Sequence, residues 1–212
     1  SDISGNEDTD IALAIDAGLS DSSETMTITV SGVPDGASLS AGTNNGDGTW
    51  TLSAGDLEGL TITPPDDYSG AFDLAVTVTS TDGSDTSSVS DTITVNVAGV
   101  ADTPTLEVED ASGDEGTAVA LDIDAAVTDA SETLTVTVSG VPDGASLSAG
   151  TNNGDGTWTL TSAQLSGLTI SAASDYAGKF ELTVSVQSRD GDDTATTTAI
   201  LEVTFDPVQD DD

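Results

Sequence analysis

The chain has no cysteine and no histidine, and only two of its 212 residues, Lys179 and Arg189, are basic. Without thiols or imidazoles it cannot form disulfides, and it lacks the usual nucleophile and general base of enzymes. Against these two bases stand 39 acidic residues, and the resulting net charge of −37 repels nucleic acid and anionic membrane surfaces. No apolar run reaches membrane-spanning length. We therefore expect a protein that is not an enzyme, binds no nucleic acid and does not insert into a membrane.

Aromatic residues are also scarce, at 3% of the chain. Six of the seven form pairs separated by 108 positions, and only Phe205 is single: Trp50 and Trp158, Tyr68 and Tyr176, Phe72 and Phe180. Paired aromatics at strand positions indicate core residues rather than a surface for stacking sugars. A glycoside-cleaving pair of carboxylates is therefore not favoured. Each Tyr precedes the penultimate strand of its copy, where sandwich domains carry a tyrosine corner.

An internal repeat is the strongest feature that the chain does have. The run Thr29–Leu52 returns letter for letter as Thr137–Leu160. The same displacement of 108 relates residues far outside that run, so we predict two domains, residues 1–100 and 103–212, joined by a short linker closed by Pro104. The chain starts at Ser1 rather than Met and its first copy has no counterpart of Pro104–Val108. We expect a segment of a longer protein, with the first strand of copy one truncated.

Apolar and polar residues alternate with a period of two in both copies, which is typical of half-buried strands. In the second copy the pattern predicts strands at residues 105–109, 117–124, 133–138, 145–148, 157–161, 168–172, 179–188 and 194–205, with one helical turn near 162–166. About seven short strands separated by turns indicate a sandwich. The predicted fold is all-β: two tandem antiparallel Ig-like or cadherin-like β-sandwiches.

The acidic residues are biased and clustered. Asp accounts for 30 of them and Glu for 9, and the acids concentrate at the ends of predicted strands. Asp suits turns and hard-cation ligation, and oxygen ligands without imidazole or thiolate select Ca²⁺ or Mg²⁺. Flexible carboxylates favour Ca²⁺, which is the predicted cofactor. The alternative is a merely solvated acidic surface, as in salt-adapted proteins.

These residues carry a resemblance to cadherin-like domains. It rests on acids near the first strands, an Asp pair ahead of the penultimate strand, an Asp-and-Pro linker and an Asp-Gly turn. The run GVADTPTL (residues 99–106), the run GDGTWTL and the near-identical repetition more closely resemble the extender repeats of giant bacterial RTX adhesins. That resemblance implies type I secretion, a place at the bacterial cell surface and a stalk made rigid by Ca²⁺. The linker has one Asp where cadherins have a denser run, which leaves the number of ions per junction open.

The resemblance also implies which residues bind the metal. The junction ligands would be Glu7, Asp67 and Asp102 from copy one and the linker, with Asp124, Asp129 and Asp190 from copy two. Second choices are Asp66, Asp122 and Asp192. Equivalent half-sites would comprise Asp16, Asp21 and Asp82 at the start of the chain, and Glu115, Asp175 and Asp210 at its end.

The loops Asn44–Gly48 and Asn152–Gly156, both NNGDG, resemble the beginning of a calcium loop. No bidentate acid follows at the required distance, and Gly/Asn-rich hairpins need this composition for positive φ angles in any case. We predict plain turns, with ion binding as the alternative.

The function predicted from the sequence is therefore a structural spacer: Ca²⁺-binding extender modules of a secreted bacterial adhesin, which project a distal ligand-binding domain. Its partners would be neighbouring repeats of the same chain, and the two-domain segment would be monomeric. The alternative is an adhesion module that itself binds carbohydrate or protein. Such a module would differ between copies, whereas here a loop and two strands are identical.

Overall fold

The structure is a computed structural model that describes residues 2–209. It divides into two compact units, Ser1–Val100 and Ala101–Asp212. Over the described residues each unit is built of β-strands and one single-turn 3₁₀ helix, so the predicted all-β class is confirmed. Among the described residues there is no helix of the length and apolarity needed to cross a membrane.

The described part of unit 1, from residue 2 onward, contains nine strands and a 3₁₀ turn at Ala54–Asp56. The strands are β1 Asp2–Asn6, β2 Ile11–Ala12, β3 Thr25–Ser31, β4 Ser38–Leu39, β5 Thr43–Asn44, β6 Thr49–Leu52, β7 Thr61–Thr63, β8 Gly70–Asp82 and β9 Asp85–Ala98. They form a six-stranded sheet in the order β1-β9-β8-β3-β6-β5 and a three-stranded sheet in the order β2-β7-β4.

Unit 2, as far as residue 209, contains eleven strands and a 3₁₀ turn at Ser162–Gln164. The strands are β10 Thr105–Val108, β11 Ala111–Asp114, β12 Ala118–Ala120, β13 Ile123–Ala126, β14 Thr133–Ser139, β15 Ser146–Leu147, β16 Thr151–Asn152, β17 Trp158–Thr161, β18 Thr169–Ser171, β19 Gly178–Asp190 and β20 Asp193–Asp206. Sheets of six and three strands repeat the arrangement of unit 1, and β10 pairs with β13 as an addition.

The core of each unit is built by the alternation seen in the sequence. In unit 1, Val30 on β3 lies opposite Trp50 on β6 and Val76 on β8. All three side chains are buried, and so is Ile62 on the smaller sheet. Unit 2 repeats the arrangement, with Trp158 buried at the equivalent position. Burial of these apolar faces against each other holds the two sheets together.

Several strands differ from the prediction, and the short β5 and β16 lie where hairpin loops were expected. β1 and β11 were not predicted, because the sequences DISGN and ASGD show no apolar alternation. Each pairs in parallel with the last strand of its unit, which makes the otherwise antiparallel sandwich mixed. The single strand predicted at residues 117–124 is divided into β12 and β13. β12 pairs with β18 whereas β13 pairs with β10, so the chain changes partners between them.

The tyrosine near each penultimate strand forms a local contact rather than the expected tyrosine corner. The hydroxyl of Tyr68 donates to the carbonyl oxygen of Ala71 at 3.1 Å, three residues ahead, instead of to a residue upstream. Tyr68 and Phe72 are half-buried, and their rings meet edge to face at 5.8 Å. They cover the margin of the core.

Candidate metal centre

The linker residues at the start of unit 2 are tied to that unit by hydrogen bonds. The N–H of Ala101 donates to Oδ2 of Asp193 at 3.2 Å, and the N–H of Asp102 donates to Oε1 of Glu132 at 2.5 Å. The carbonyl oxygen of Asp102 accepts a short hydrogen bond from the hydroxyl of Ser188. Asp102 is therefore held in place through both its main-chain groups.

A tight turn ahead of β14 presents the acids that surround Asp102. Oδ1 of Asp129 accepts the N–H of Ser131 at 2.7 Å, and Oδ2 accepts the hydroxyl of the same serine. This is the local hydrogen bonding that Asp forms in Asx turns. The turn closes with the N–H of Glu132 donating to the carbonyl oxygen of Asp129 at 3.4 Å.

A further acid comes from the hairpin between β19 and β20. Asp190 is the last residue of β19, and Gly191 turns the chain with a φ of 55°. A carboxylate oxygen of Asp190 lies within 4.8 Å of one on Asp129. We call Asp102, Asp129, Glu132 and Asp190 the carboxylate cluster. Three members are more than nine-tenths buried: Asp129, Glu132 and Asp190.

The electrostatics of this cluster are unfavourable without a cation. The pKa of Glu132 is raised by its burial and further by the negative charges of Asp102, Asp129 and Asp190, while the hydrogen bond from Asp102 acts in the opposite direction. Two ionised carboxylates about 4 Å apart repel by about 4 kcal/mol at a near-surface dielectric. Within the described residues, Oε2 of Glu132 and Oδ2 of Asp190 are buried and have no hydrogen-bond partner. Buried acceptors of this kind are costly unless something binds them.

No side chain of the protein supplies the missing positive charge. Nζ of Lys179 lies 2.6 Å from Oε1 of Glu202, and Arg189 directs its guanidinium to the carbonyl oxygen of Gly191 and the carboxylate of Asp192. These are the only two basic residues in the sequence. The cluster has two buried carboxylate oxygens without a hydrogen-bond partner in the described part of the chain. Carboxylate oxygens are the ligands that a hard divalent cation such as Ca²⁺ prefers. The cluster therefore fits a calcium ion chemically.

The remaining predicted ligands lie elsewhere in their units. At the start of unit 1, Asp16, Asp21 and Asp82 are all exposed. Asp21 forms the same turn as Asp129, and hydrogen bonds from the backbone and hydroxyl of Ser23 lower its pKa. Within unit 1, Oε1 of Glu7 accepts the N–H of Val100 at 2.7 Å.

Four further predicted acids of the chain are exposed on their own units: Asp66, Asp67, Asp175 and Asp192. Asp67 adopts a positive φ of 55°, which Asp tolerates better than most residues. Oε1 of Glu115 accepts the N–H of Val208 at 2.7 Å, which repeats the bond of Glu7 at an interval of 108. The last predicted ligand of that half-site, Asp210, lies outside the described residues.

Asp122 and Asp124 take a different position in unit 2. Both line a cleft with Ser162, Leu165 and Ser166, on or next to β13. Neither is among the carboxylates that raise the pKa of Glu132. Thus the fold gathers Asp102, Asp129 and Asp190 from the predicted set. The role of every predicted residue as a metal ligand stays a prediction.

Sequence reasoning missed two residues of this centre, Glu132 and Ser188. The signal for Glu132 was the repeated pattern Asp-x-Ser-Glu, at residues 21–24 and 129–132, in which the turn-forming Asp fixes the distance to the Glu. Ser188 carries no sequence signal, because it is one of many Ser and Thr residues on alternating strands. Only the fold shows that its hydroxyl reaches Asp102.

The NNGDG loops satisfy their own polar groups. In the second loop, Oδ1 of Asp155 accepts both the hydroxyl of Thr157 at 2.6 Å and its N–H at 3.1 Å. The amide of Asn153 donates to Thr157 and Thr159. The first loop repeats these contacts at Asp47 and Asn45. This agrees with a turn that is held by its own side chains.

Comparison with known proteins gives distant likenesses of fold. No protein-family model matches the chain, and no curated protein matches it. Among solved structures, the chain is similar to Drosophila N-cadherin EC1-4, at 17% identity over 96% of this chain and 47% of that one, with a TM-score of 0.39. It is similar to the Yersinia pseudotuberculosis adhesin InvE, at 16% identity over 96% and 56%, with a TM-score of 0.30.

An endo-fucoidan hydrolase of glycoside hydrolase family 107, MfFcnA4, is similar at 22% identity and a TM-score of 0.31. The match covers 87% of this chain but only 24% of the hydrolase, so the chain spans about a quarter of that protein. All three likenesses are too distant to indicate a shared function.

Proposed function

We propose that this chain is a pair of structural spacer modules in which Ca²⁺, bound by the carboxylate cluster, fixes the linker onto unit 2. The observation that supports this is the cluster itself. Buried carboxylates surround Asp102, two of their oxygens are unsatisfied, and both basic residues of the chain are engaged elsewhere. A divalent cation would remove the repulsion and supply the missing partners in one step.

Ca²⁺ suits this cluster better than Mg²⁺. The candidate ligands come from three separate segments, the linker, the turn before β14 and the end of β19, so they form an irregular set of carboxylate oxygens. Ca²⁺ accepts six to eight oxygens in flexible geometry, whereas Mg²⁺ demands a near-ideal octahedron and retains water. Extracellular calcium modules have dissociation constants of about 10⁻⁴–10⁻³ M. A hundredfold excess of ion over that constant stabilises a folded site by about 2.7 kcal/mol.

Such an ion would hold the linker in place, and the spacer role follows from this. Asp102 lies in the linker, and its main chain is bonded to Glu132 and Ser188. An ion bound at its carboxylate would therefore stiffen the connection rather than create either sandwich. We further propose that Glu7 and Asp67 add ligands from the preceding module, in the way that cadherin-like arrays share ions between domains. Neighbouring repeats would then be the partners, and the setting would be a secreted protein at the bacterial cell surface, exported by type I secretion.

Two measurements test this proposal together. Thermal unfolding in CaCl₂ is compared with unfolding in NaCl of equal ionic strength, because general screening acts equally in both. We expect Ca²⁺ to raise the midpoint and NaCl at the same ionic strength not to match it. Small-angle scattering with Ca²⁺ and then EGTA reports the flexibility of the linker, and Asp102→Ala should reproduce the EGTA state with both sandwiches folded. Equal midpoints in the two salts would instead support a solvated acidic surface.

A further inference from the structure

Unit 1 carries an open groove beside the first half of β9. The cavity measures about 160 Å³, and its lining combines apolar side chains that include Ile15, Val78 and Val89 with the acidic Asp16 and Asp91. Val89 is 69% exposed. The residues of β9 from Asp85 to Thr92 are exposed on both faces. Val89 is the apolar residue in this exposed stretch, and it lies beside the half-buried Ile15 and Val78 of the groove.

The equivalent surface of unit 2 is covered by β10. Leu106 of β10 lies opposite Ala125 of β13, and Val108 lies opposite Ile123. Leu106 and Val108 pack against the core of unit 2. The strand is also fastened at its start, because the hydroxyl of Thr197 on β20 donates to the carbonyl oxygen of Pro104 at 2.8 Å. Position 197 of unit 2 is equivalent to the exposed Val89 of unit 1.

Local order and burial differ between the units at this surface. In unit 2, Ile123 and Val186 are 5% and 0% exposed, whereas their counterparts Ile15 and Val78 are only half-buried. Residues 123–126 form β13, but the equivalent residues 15–18 form no strand. In unit 2, Ala195, Thr197 and Ala199 of β20 are half-buried, while their counterparts in unit 1 are exposed. The differences are those expected for a sandwich from which one strand is absent.

We propose that this groove binds an extended segment with the sequence pattern of residues 104–109, Pro-Thr-Leu-Glu-Val-Glu. The segment would pair antiparallel with residues 15–18, as β10 pairs with β13, and would seat two apolar side chains, two positions apart, in the groove. Its main chain would supply ladder hydrogen bonds, and its Leu and Val would supply the buried area. This is recognition by strand addition, in which alternate side chains give specificity. The inference does not depend on calcium.

A synthetic peptide with the sequence of residues 102–110 tests the inference on the whole chain labelled with ¹⁵N. We expect saturable chemical-shift changes at residues 15–18, Val78 and Val89, together with slower amide exchange of residues 15–18. A control peptide in which Leu106→Ser and Val108→Ser remove both apolar side chains should give no saturable change. Val89→Glu should weaken binding of the original peptide at least about tenfold, because it places a charge in the groove. The matched control is Ile200→Glu, at a 60% exposed apolar position on β20, where the alternation of burial places it on the face opposite Thr197.

A tethered version gives a result even if the free peptide binds weakly. The sequence of residues 101–108 is placed directly before Ser1, which reproduces the spacing between β10 and β11. We expect residues 15–18 to become protected from exchange and the Tm of unit 1 to rise by about 4–8 °C. The inference would be overturned if the tether changed neither quantity or if the serine-substituted tether worked equally well. Chemical-shift changes confined to residues 123–126 would also overturn the inference. They would show that the peptide replaces β10 in unit 2 instead of binding in the groove of unit 1.

Discussion

The main-chain N–H of Asp102 donates to Oε1 of Glu132 at 2.5 Å, while Oε2 of the same glutamate is buried and has no partner among the described residues. Glu132 thus holds the linker with one oxygen and leaves the other available to a cation. Binding of an ion and placement of the linker are therefore coupled through one side chain.

Substituting Glu132→Gln should weaken Ca²⁺ binding about tenfold or more and raise the stability of the metal-free protein. The amide oxygen can still accept the hydrogen bond from Asp102, and the amide nitrogen offers donors to the neighbouring carboxylates. Removing one negative charge relieves the repulsion that Ca²⁺ otherwise neutralises. Calorimetric titration with Ca²⁺ and thermal unfolding in EGTA measure the two effects.

The matched control is Glu24→Gln, which alters the equivalent glutamate of unit 1. Glu24 is half-buried, and the turn that precedes it contains the exposed Asp21 rather than the buried Asp129. We expect this variant to keep the affinity of the carboxylate cluster. Equal losses in both variants would show that the effect is one of general charge.

The metal-free protein should become less stable as the pH rises from about 4.5. The folded-state pKa of Glu132 is raised above the ordinary glutamate value of 4.5, chiefly by burial, so the folded protein binds this proton more tightly than the unfolded chain does. The stability from this group is complete below that value and is lost as the pH rises through the higher folded pKa. Urea unfolding in EGTA across this range measures it, and Glu132→Gln should flatten the profile. An unchanged slope in that variant would assign the pH dependence to other acids.

Ser188→Ala should destabilise unit 2 by about 1–3 kcal/mol, because it removes the hydroxyl that donates a hydrogen bond to the carbonyl oxygen of Asp102. The linker should also loosen, which faster exchange of the Asp102 amide would show. The control is Ser80→Ala at the equivalent position of unit 1. The assignment of Ser188 would be wrong if both variants changed stability equally and linker exchange were unaffected.

Asp155→Ala should leave the number and affinity of bound Ca²⁺ ions unchanged. Oδ1 of Asp155 accepts a hydrogen bond from the hydroxyl of Thr157, and this bond is the main reason why the pKa of Asp155 is lowered. The loop should lose local order, visible as faster exchange of the Thr157 amide. Loss of one calcium equivalent in the titration would instead make the NNGDG loop an ion site.

The fold could be predicted from the sequence to the extent that strands bury one face. β14, β19 and β20 alternate apolar and polar residues, and each was predicted within a few residues of its observed bounds. β1 and β11 could not be predicted, because they join the sheet through main-chain hydrogen bonds and their sequences, DISGN and ASGD, do not alternate apolar and polar residues. The division into β12 and β13 could not be predicted either, because it depends on which strand each segment pairs with.

The candidate site was predictable in part for a similar reason. Asp129 and Asp190 stand at turns, where an Asp is conspicuous in the sequence, and the fold brings them together. Glu132 immediately precedes β14, where a lone glutamate is ordinarily solvated. Its importance comes from burial and from contact with Asp102, thirty residues away, which a linear pattern does not contain.

Amide hydrogen exchange at Asp102 tests the central claim most directly, because that N–H joins the linker to the carboxylate cluster. The exchange rate is measured in Ca²⁺, in EGTA, and in EGTA with NaCl of equal ionic strength. A bound calcium ion should slow exchange at Asp102 by about tenfold or more, while NaCl leaves the rate near that in EGTA and the core amide of Val138 stays protected throughout. Equal rates at Asp102 in calcium and in EGTA would contradict the account.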